Sequence, residues 1–182
     1  MYVTSAHDTE IRLTLEAALD FVNALADGEV NTRSSLHHHG FSRAANTSEA
    51  SIHRIEQRLA ELTPRLRSLP GADPAPTVDW INSELAQLNI VPSLTTHDDA
   101  PLHIHWTPAS ASFDDQVMAD VLMALAQEVC DHGTERFGVC AATDCEDLFY
   151  DSTRNGSRRF CPDPRCASRT HTADHRARKR HN

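Results

Sequence analysis

Four cysteines near the C-terminal end constrain this 182-residue chain more than any other feature. They form two pairs, Cys140 with Cys145 and Cys161 with Cys166; each pair encloses four residues, and fifteen residues separate the pairs. Four thiolates in two short clusters can close one tetrahedral zinc site. Two disulfides or four free thiols are the alternatives, and we favour zinc because we expect no secretory signal. We therefore predict one structural zinc ion per chain, bound by these four cysteines.

We expect a cytoplasmic protein with no membrane contact. The first residues carry no basic region followed by an apolar run, which is what a signal peptide needs. No stretch approaches the roughly 20 apolar residues of a membrane-spanning helix. A fifth cysteine, Cys130, falls in an apolar helical pattern, and we predict that its thiol is buried and inert.

The charges are unevenly distributed along the chain. Of the 17 basic and 26 acidic side chains, nine basic and three acidic ones lie from Asp151 onwards. The first 150 residues therefore hold eight basic and 23 acidic side chains, a balance of −15 against +6 for the rest. This asymmetry indicates that the C-terminal part contacts a polyanion that the remainder would repel, unless the basic tail serves only solubility.

Apolar residues recur at helical spacing in four segments of the first 134 residues. Pro64 should kink or end the second of the predicted helices. Residues 28–47, which include three adjacent histidines, are polar and irregular, and we expect a solvated loop there rather than a metal site. The predicted helices cover residues 10–27, the apolar run from Ile52 to Leu69 after a capping box at Asn46 and Glu49, the apolar run from Val78 to Leu88 with Thr77 as cap, and residues 113–130 with Ser110 or Ser112 as cap.

A β-hairpin is expected between the third and fourth helices. Leu102, Ile104 and Trp106 alternate with His103 and His105, which predicts a strand paired with residues 90–95 through a turn at 97–100. The two histidines share a face, where an outward polar surface explains them better than a ligand role. We predict that residues 1–134 form a mainly helical domain with this small hairpin. A small-molecule effector and a second copy of the chain are its candidate partners.

Residues 135–182 are predicted to form a treble-clef-like zinc module. Phe137 and Val139 lead into the first cysteine pair, Leu148–Tyr150 leave it as a short strand, and Asn155–Gly156 is a turn signal. We expect the insert between the pairs to fold as a hairpin that carries the second pair to the first. The residues after Cys166 lack Gly and Pro, which predicts a helix. The fold class is therefore α+β.

Basic side chains give this module a surface suited to an acidic polymer. On the final helix five of them fall within about 100° of arc, and three more lie in the insert. Such cations can neutralise phosphates, and Arg can also read guanine edges in the major groove of double-stranded DNA. A solvated basic face without a partner is the alternative. The predicted DNA-contacting residues are Arg154, Arg158, Arg159, Arg165, Arg169, Arg176, Lys179 and Arg180.

The module resembles a known family. Its sequence, CAATDC…LFYDSTRNGSRRFC…CASR, is similar to the CGNR zinc finger of bacterial proteins, and ALDFVNAL at residues 18–25 is similar to the opening of its partner domain, called ABATE. Two departures are present: Ala167-Ser168 replaces Gly-Asn, and Thr153 stands at a serine position. The matching residues are Asp151, Arg154, Asn155, Gly156, Arg158, Arg159, Phe160, Arg169 and the four cysteines.

The resemblance implies a transcription regulator whose zinc module binds DNA and whose N-terminal domain senses a ligand. If the family's glycine needs a positive φ, Ala167 alters the turn into the helix. We expect no enzymatic activity, because four thiolates leave zinc no open position for a water molecule. A protein-interaction adaptor is the alternative, followed by a treble-clef nuclease, for which His171 and His175 are the histidines available.

Overall fold

The computed structural model describes residues 6–96 and 102–180. The predicted α+β class, mainly helical with a hairpin and a four-cysteine module, is confirmed. No helix within these two ranges is long and apolar enough to cross a membrane. The elements in chain order are α1 (Ala6–Asp27), α2 (Thr32–His38), a 3₁₀ turn (Ser42–Asn46), α3 (Glu49–Arg67), α4 (Pro74–Leu85), β1 (Ser93–Thr95), β2 (His103–His105), α5 (Phe113–His132), β3 (Phe137–Val139), β4 (Leu148–Tyr150) and α6 (Pro164–Arg180).

Helices α1, α3 and α5 pack on one another and build the main core. Each contributes apolar side chains at helical spacing, as its sequence predicts. Full burial of one such Leu or Val side chain contributes about 1.5–3 kcal/mol relative to exposure. The most deeply buried members are Leu15 and Val22 of α1, Ile55, Leu59 and Leu66 of α3, and Val117, Val121 and Leu125 of α5.

The segment between α1 and α3 is not the solvated loop that we predicted. Gly28 follows α1 with a φ of 74°, as expected for a helix end, but α2 begins four residues later. The side chain of Asn31 caps α2 by accepting a hydrogen bond from the N–H of Ser34 at 3.1 Å, and Leu36 is buried in the core. A helix of seven residues is too short to show a periodic pattern, so the sequence did not reveal it.

Helix α3 differs from the prediction at both ends. It continues past Pro64 to its last residue at 67, because Leu62 and Leu66 on either side of the proline are buried in the core and hold this turn in place. Its cap is Ser48, whose hydroxyl accepts from the N–H of Ser51, rather than Asn46.

Two smaller predictions on α4 and α5 were also wrong. Helix α4 begins at Pro74 with Asp73 as its cap, not at Thr77, because proline is tolerated in the first turn of a helix.

Cys130 on α5 is exposed, not buried as predicted. It is rotated by about 100° from the buried Val129, which places its thiol off the core face of α5.

The hairpin between α4 and α5 is antiparallel, with Ser93 opposite His105 and Thr95 opposite His103. The two histidine rings lie on one face, as their spacing predicts, with centroids 5.1 Å apart. Both are half-buried rather than fully solvated. The predicted turn at residues 97–100 lies outside the described residues.

Strands β3 and β4 pair antiparallel, with Gly138 opposite Phe149. A Cβ atom on Gly138 would lie 2.4 Å from Cζ of Phe149, so the aromatic ring fits across the neighbouring strand only because this residue is glycine. The pairing differs from the prediction, since Leu148–Tyr150 pairs with the strand before the first cysteine pair and not within a hairpin of the insert. The strand itself was predicted correctly, but its partner was not.

Two polar contacts attach β4 to the helical core. Asn23 of α1 accepts from the N–H of Leu148 at 2.8 Å and donates to its carbonyl at 2.9 Å. The hydroxyl of Tyr150 donates to Glu128 of α5 at 2.8 Å. Since Phe137, Leu148 and Tyr150 also belong to the main core, the strand pair is packed against the helical body. The division of the chain at residues 134 and 135 stays a prediction.

We predict that Asn23→Ala lowers the free energy of unfolding by about 1–3 kcal/mol, because both backbone groups of the buried Leu148 lose their partner. Urea unfolding of the zinc-loaded protein measures this change. Asn82→Ala, at an exposed position of α4, is the matched control for the helix propensity of alanine. Equal stability of the two variants would contradict the role assigned to Asn23.

Candidate metal centre and basic surface

The four predicted cysteine ligands come together at one point. Their sulfur atoms all lie within 4.8 Å of one another, with 3.9 Å between Cys145 and Cys161 and 3.7 Å between Cys161 and Cys166. Zn–S bonds of about 2.3 Å in a tetrahedron place sulfur atoms roughly 3.8 Å apart. A disulfide would need about 2.05 Å, and all four cysteines are unbonded. The four residues can hold one zinc ion, as predicted.

Three elements position the ligands. Cys140 and Cys145 lie in the loop that joins β3 to β4, while Cys166 lies in the first turn of α6 and Cys161 just before it. The N–H of Ala141 donates to the carbonyl of Arg159 at 2.8 Å, which brings the two cysteine pairs side by side. All the ligands are buried except Cys145, which is half-buried. The first cysteine pair lies between strands β3 and β4 rather than before a hairpin in the insert, and α6 begins beside the last ligand, as predicted.

Without a cation, the surroundings of two of the sulfurs disfavour the ionised thiolate. Burial raises the pKa of the Cys145 thiol to about 12 and also raises that of Cys161. Burial acts in the same sense on Cys140, but backbone N–H donors outweigh it and lower the pKa of that thiol. Crowded thiols of this kind lose their protons together only beside a strong positive charge, which Zn²⁺ supplies. The N–H donors to Cys140 belong to Cys161 and Ala142, while Cys145 and Cys161 each accept from the residue two positions later, Asp147 and Asp163.

Asp151 organises the loop that precedes the second cysteine pair. Its carboxylate accepts from the N–H and hydroxyl of Thr153 at 2.8 and 2.5 Å, and from the N–H of Arg158 at 2.6 Å. Burial alone would raise the pKa of Asp151, but these hydrogen bonds outweigh it and hold the pKa below its usual range. The turn at Asn155–Gly156 is present, with Gly156 at a φ of 57°. Thr153 accepts from the N–H of Ser157, so a threonine serves at the serine position of the family pattern.

The predicted DNA-contacting residues fall into two groups. Three have partners within the module, and four are exposed without an ion pair in the described part of the chain. Arg165 forms an ion pair with Asp163 at 2.7 Å, and Arg169 contacts both Asp144 at 3.2 Å and the sulfur of Cys166 at 3.4 Å. Arg158 donates to the carbonyl of Tyr150. The exposed group is Arg154, Arg159, Arg176 and Lys179, and the side chain of Arg180 lies outside the described residues.

The replacement of Gly-Asn by Ala167-Ser168 fits the structure. Both residues lie inside α6, which begins at Pro164, so position 167 has helical backbone and needs no positive φ. Alanine is favoured over glycine by about 1 kcal/mol at such a position. The carbonyl of Ser168 accepts from the hydroxyl of Thr172 one turn later. Ala167 therefore does not alter the turn into α6, as the sequence comparison had suggested it could.

Several residues of the site could not be found from the sequence pattern. Asp163 and Asp144 form ion pairs with Arg165 and Arg169, which the helical projection of the sequence had predicted to contact DNA. Arg136 donates to the carbonyls of Asp151 and Thr153. The position of Arg136 directly before β3 could have drawn attention to it. Nothing in the sequence identifies its partner Asp151, which lies fifteen residues away.

The fold and the sulfur geometry define a class of protein module, a small four-cysteine zinc finger whose last ligand lies in the first turn of a basic helix. Residues 136–179 match the family model of the CGNR zinc finger. This match confirms the resemblance seen in the sequence. No curated protein matches the chain. The match covers the C-terminal module and not the helical body, so the ABATE assignment stays a prediction.

We predict one zinc ion per purified chain and a strong loss of zinc in Cys161→Ser, because three thiolates cannot complete the site. Elemental analysis of gel-filtered protein measures the content. Cys130→Ser, which changes the exposed cysteine outside the cluster, should keep its full zinc content. Metal-free protein that is fully folded, or equal zinc in both variants, would contradict the assignment.

We further predict that Asp151→Asn lowers the free energy of unfolding by about 1–3 kcal/mol, because an amide cannot accept the same hydrogen bonds from Thr153 and Arg158. Chemical unfolding at pH 7 with saturating zinc measures the loss. Asp131→Asn, at an exposed position on α5, should unfold like the wild type. An Asp151→Asn protein as stable as the wild type would show that the loop is held by other contacts.

Proposed function

We propose that this protein binds double-stranded DNA through its zinc finger and α6, and regulates transcription. The observation that carries the proposal is the set of exposed cations beside the metal centre. Arg176 and Lys179 lie on α6, and Arg154 and Arg159 lie on the loop before the second cysteine pair. Two separate groups of cations on one rigid module can contact phosphates at two points of a duplex and thereby fix its orientation.

The arginines with internal partners are given a different role. The guanidinium of Arg169 lies 3.4 Å from the Cys166 sulfur and 3.2 Å from Asp144, so it ties α6 to the first cysteine loop. Arg165 is bound to Asp163 by several short contacts. We assign these two residues to the positioning of α6. The phosphate contacts then come from the exposed group.

The charge distribution supports one orientation on DNA. The first 150 residues carry an excess of fifteen negative charges over positive ones, and the rest an excess of six positive charges. The helical body is repelled by phosphates while the module is attracted, so we expect the module to face the duplex. The helical body is then free for an effector or for a second copy of the chain, which both stay predictions.

Zinc has a structural role in this proposal. Four thiolates complete a tetrahedron, and catalytic zinc sites instead keep a position for water. The histidines considered for a nuclease do not converge on the ligands as a set: His171 packs edge-on against Phe160 at 5.7 Å, and His175 is exposed on α6. We therefore propose a non-catalytic protein, with an adaptor that binds an acidic protein surface as the alternative outcome.

The test is binding of genomic DNA fragments at about 50 and 200 mM salt. We predict that Arg176→Gln with Lys179→Gln weakens binding about ten- to hundredfold near 100 mM salt and reduces the salt slope by about 1.8, because two phosphate contacts are lost. Arg65→Glu makes the same change of two charge units at an exposed position near the end of α3 and is the matched control.

The outcomes separate the alternatives. No binding of wild-type protein to any fragment at low salt would end the DNA hypothesis, and capture of an acidic protein that survives nuclease treatment would favour the adaptor. Equal losses in the α6 double variant and in Arg65→Glu would show that overall charge, and not the surface of α6, causes the binding. Zinc content is measured for every variant, so that an unfolded module is not mistaken for a lost contact.

A further inference from the structure

A cavity of about 400 Å³ lies in the helical body, away from the metal centre. Its walls come from α1, from the segment between α2 and the 3₁₀ turn, from strand β2 and from α5. This volume lies within the size range of small-molecule sites. The lining combines apolar surface with a few charged and polar side chains, which is also typical of such sites.

Two carboxylates line this cavity from opposite helices. Glu10 belongs to α1 and Asp120 to α5, and both are half-buried. Burial, with a further contribution from the negative charge of Glu10, raises the pKa of Asp120 to about 7. No hydrogen-bond donor or cation in the described residues offsets this effect at Asp120. The pair is therefore a site of unbalanced negative charge beside a cavity.

The only arginine that lines the cavity in the described residues does not neutralise this pair. The guanidinium of Arg43 donates to the side-chain oxygen of Gln116 at 2.6 Å and lies over the ring of Phe113, 5.3 Å from its centroid. Gln116 precedes Asp120 by one helical turn on α5. Arg43 is thus engaged by Gln116 and Phe113, and it does not lower the pKa of Asp120.

Besides three histidines (His39, His103 and His105), aromatic and apolar side chains line the rest of the cavity. Trp106 and Phe41 line it together with Ile104 and Met123. An aromatic surface attracts a cation through its negative ring face, and it also packs against an apolar ligand body. The lining is thus complementary to a molecule with one positively charged end and an apolar remainder.

We propose that this cavity binds a small organic amine, with the ammonium group between Glu10 and Asp120 and the apolar body against Trp106 and Ile104. A role for this cavity as an effector site rests on the proposed function. Binding of the amine itself requires no DNA. An ammonium ion there gains charge-assisted hydrogen bonds and relieves the repulsion between the two carboxylates. A neutral molecule of the same shape gains only the apolar contact.

The experiment uses three probes that share a benzyl or phenyl body and differ in charge: benzylamine, benzyl alcohol and benzoate. Isotope-labelled, zinc-loaded full-length protein is titrated with each probe at pH 7.5, and the shifts of the amide resonances are followed by NMR. We expect benzylamine to bind at least about tenfold more tightly than benzyl alcohol, because of its charge-assisted hydrogen bonds. Benzoate should bind most weakly, and the shifts should map to α1, β2 and α5.

Three variants make the test specific. Asp120→Asn and Glu10→Gln each remove one charge from the cavity with little change of shape, and each should reduce the preference for benzylamine over benzyl alcohol to less than about threefold. Asp131→Asn removes a charge from an exposed position of α5 outside the cavity and should bind like the wild type. Equal binding of benzylamine and benzyl alcohol, tighter binding of benzoate, or an unchanged preference in both cavity variants would overturn the proposal. Loss of DNA binding alone would leave the proposal intact, since no DNA is present.

Discussion

The meeting of four sulfur atoms at one centre is the constraint on which the C-terminal module depends. Around them the described residues of the module form only a small apolar cluster of their own, made of Ala142 and Phe160 with the cysteines. A cluster of this size cannot offset the conformational entropy of a loop and a helix. Zinc binding supplies this free energy instead, because a site assembled only on folding adds its binding energy to that of folding. The direction of α6 is therefore fixed by the metal, whose last ligand lies in the first helical turn.

The strand pair β3–β4 joins this metal-dependent part to the helical body. The loop between its strands carries Cys140 and Cys145, while Phe137, Leu148 and Tyr150 pack into the main core. The same short strands thus carry the first two zinc ligands and pack against the helical body. This arrangement explains why Gly138 is glycine, since the ring of Phe149 occupies the space that a Cβ atom would fill. It also explains why Asn23 bonds the open edge of β4 in the way that a third strand would.

The sequence could predict the elements whose signal is long or chemically specific. Helices α1, α3 and α5 each repeat an apolar pattern over several turns, and the cysteine spacing defines the ligands without any knowledge of the fold. Helix α2 was missed because seven residues carry no periodic signal. Pro64 was wrongly expected to disturb α3, because the buried neighbours that hold the helix there belong to tertiary structure.

The same limit applies to the basic surface. A helical projection correctly placed Arg165 and Arg169 on α6, but it could not show that Asp163 and Asp144 bind them. The second of these pairs spans 25 residues and exists only after the two cysteine pairs have met. Local sequence therefore gives the number of cations on the module. The fold determines which of them remain available to a partner.

The proposed ligand cavity and the zinc finger are connected through the same two helices. Helix α1 carries Glu10 at the cavity and Asn23 at β4, thirteen residues or about 20 Å further along. Helix α5 carries Asp120 at the cavity and Glu128, which binds Tyr150 of β4, about 12 Å further along. A ligand that moved α1 relative to α5 would act on both attachments of β4 at once, and β4 continues from the loop that holds two zinc ligands. Because linkage between two binding sites is reciprocal, any effect of an amine on DNA affinity must appear as an equal effect of DNA on amine affinity.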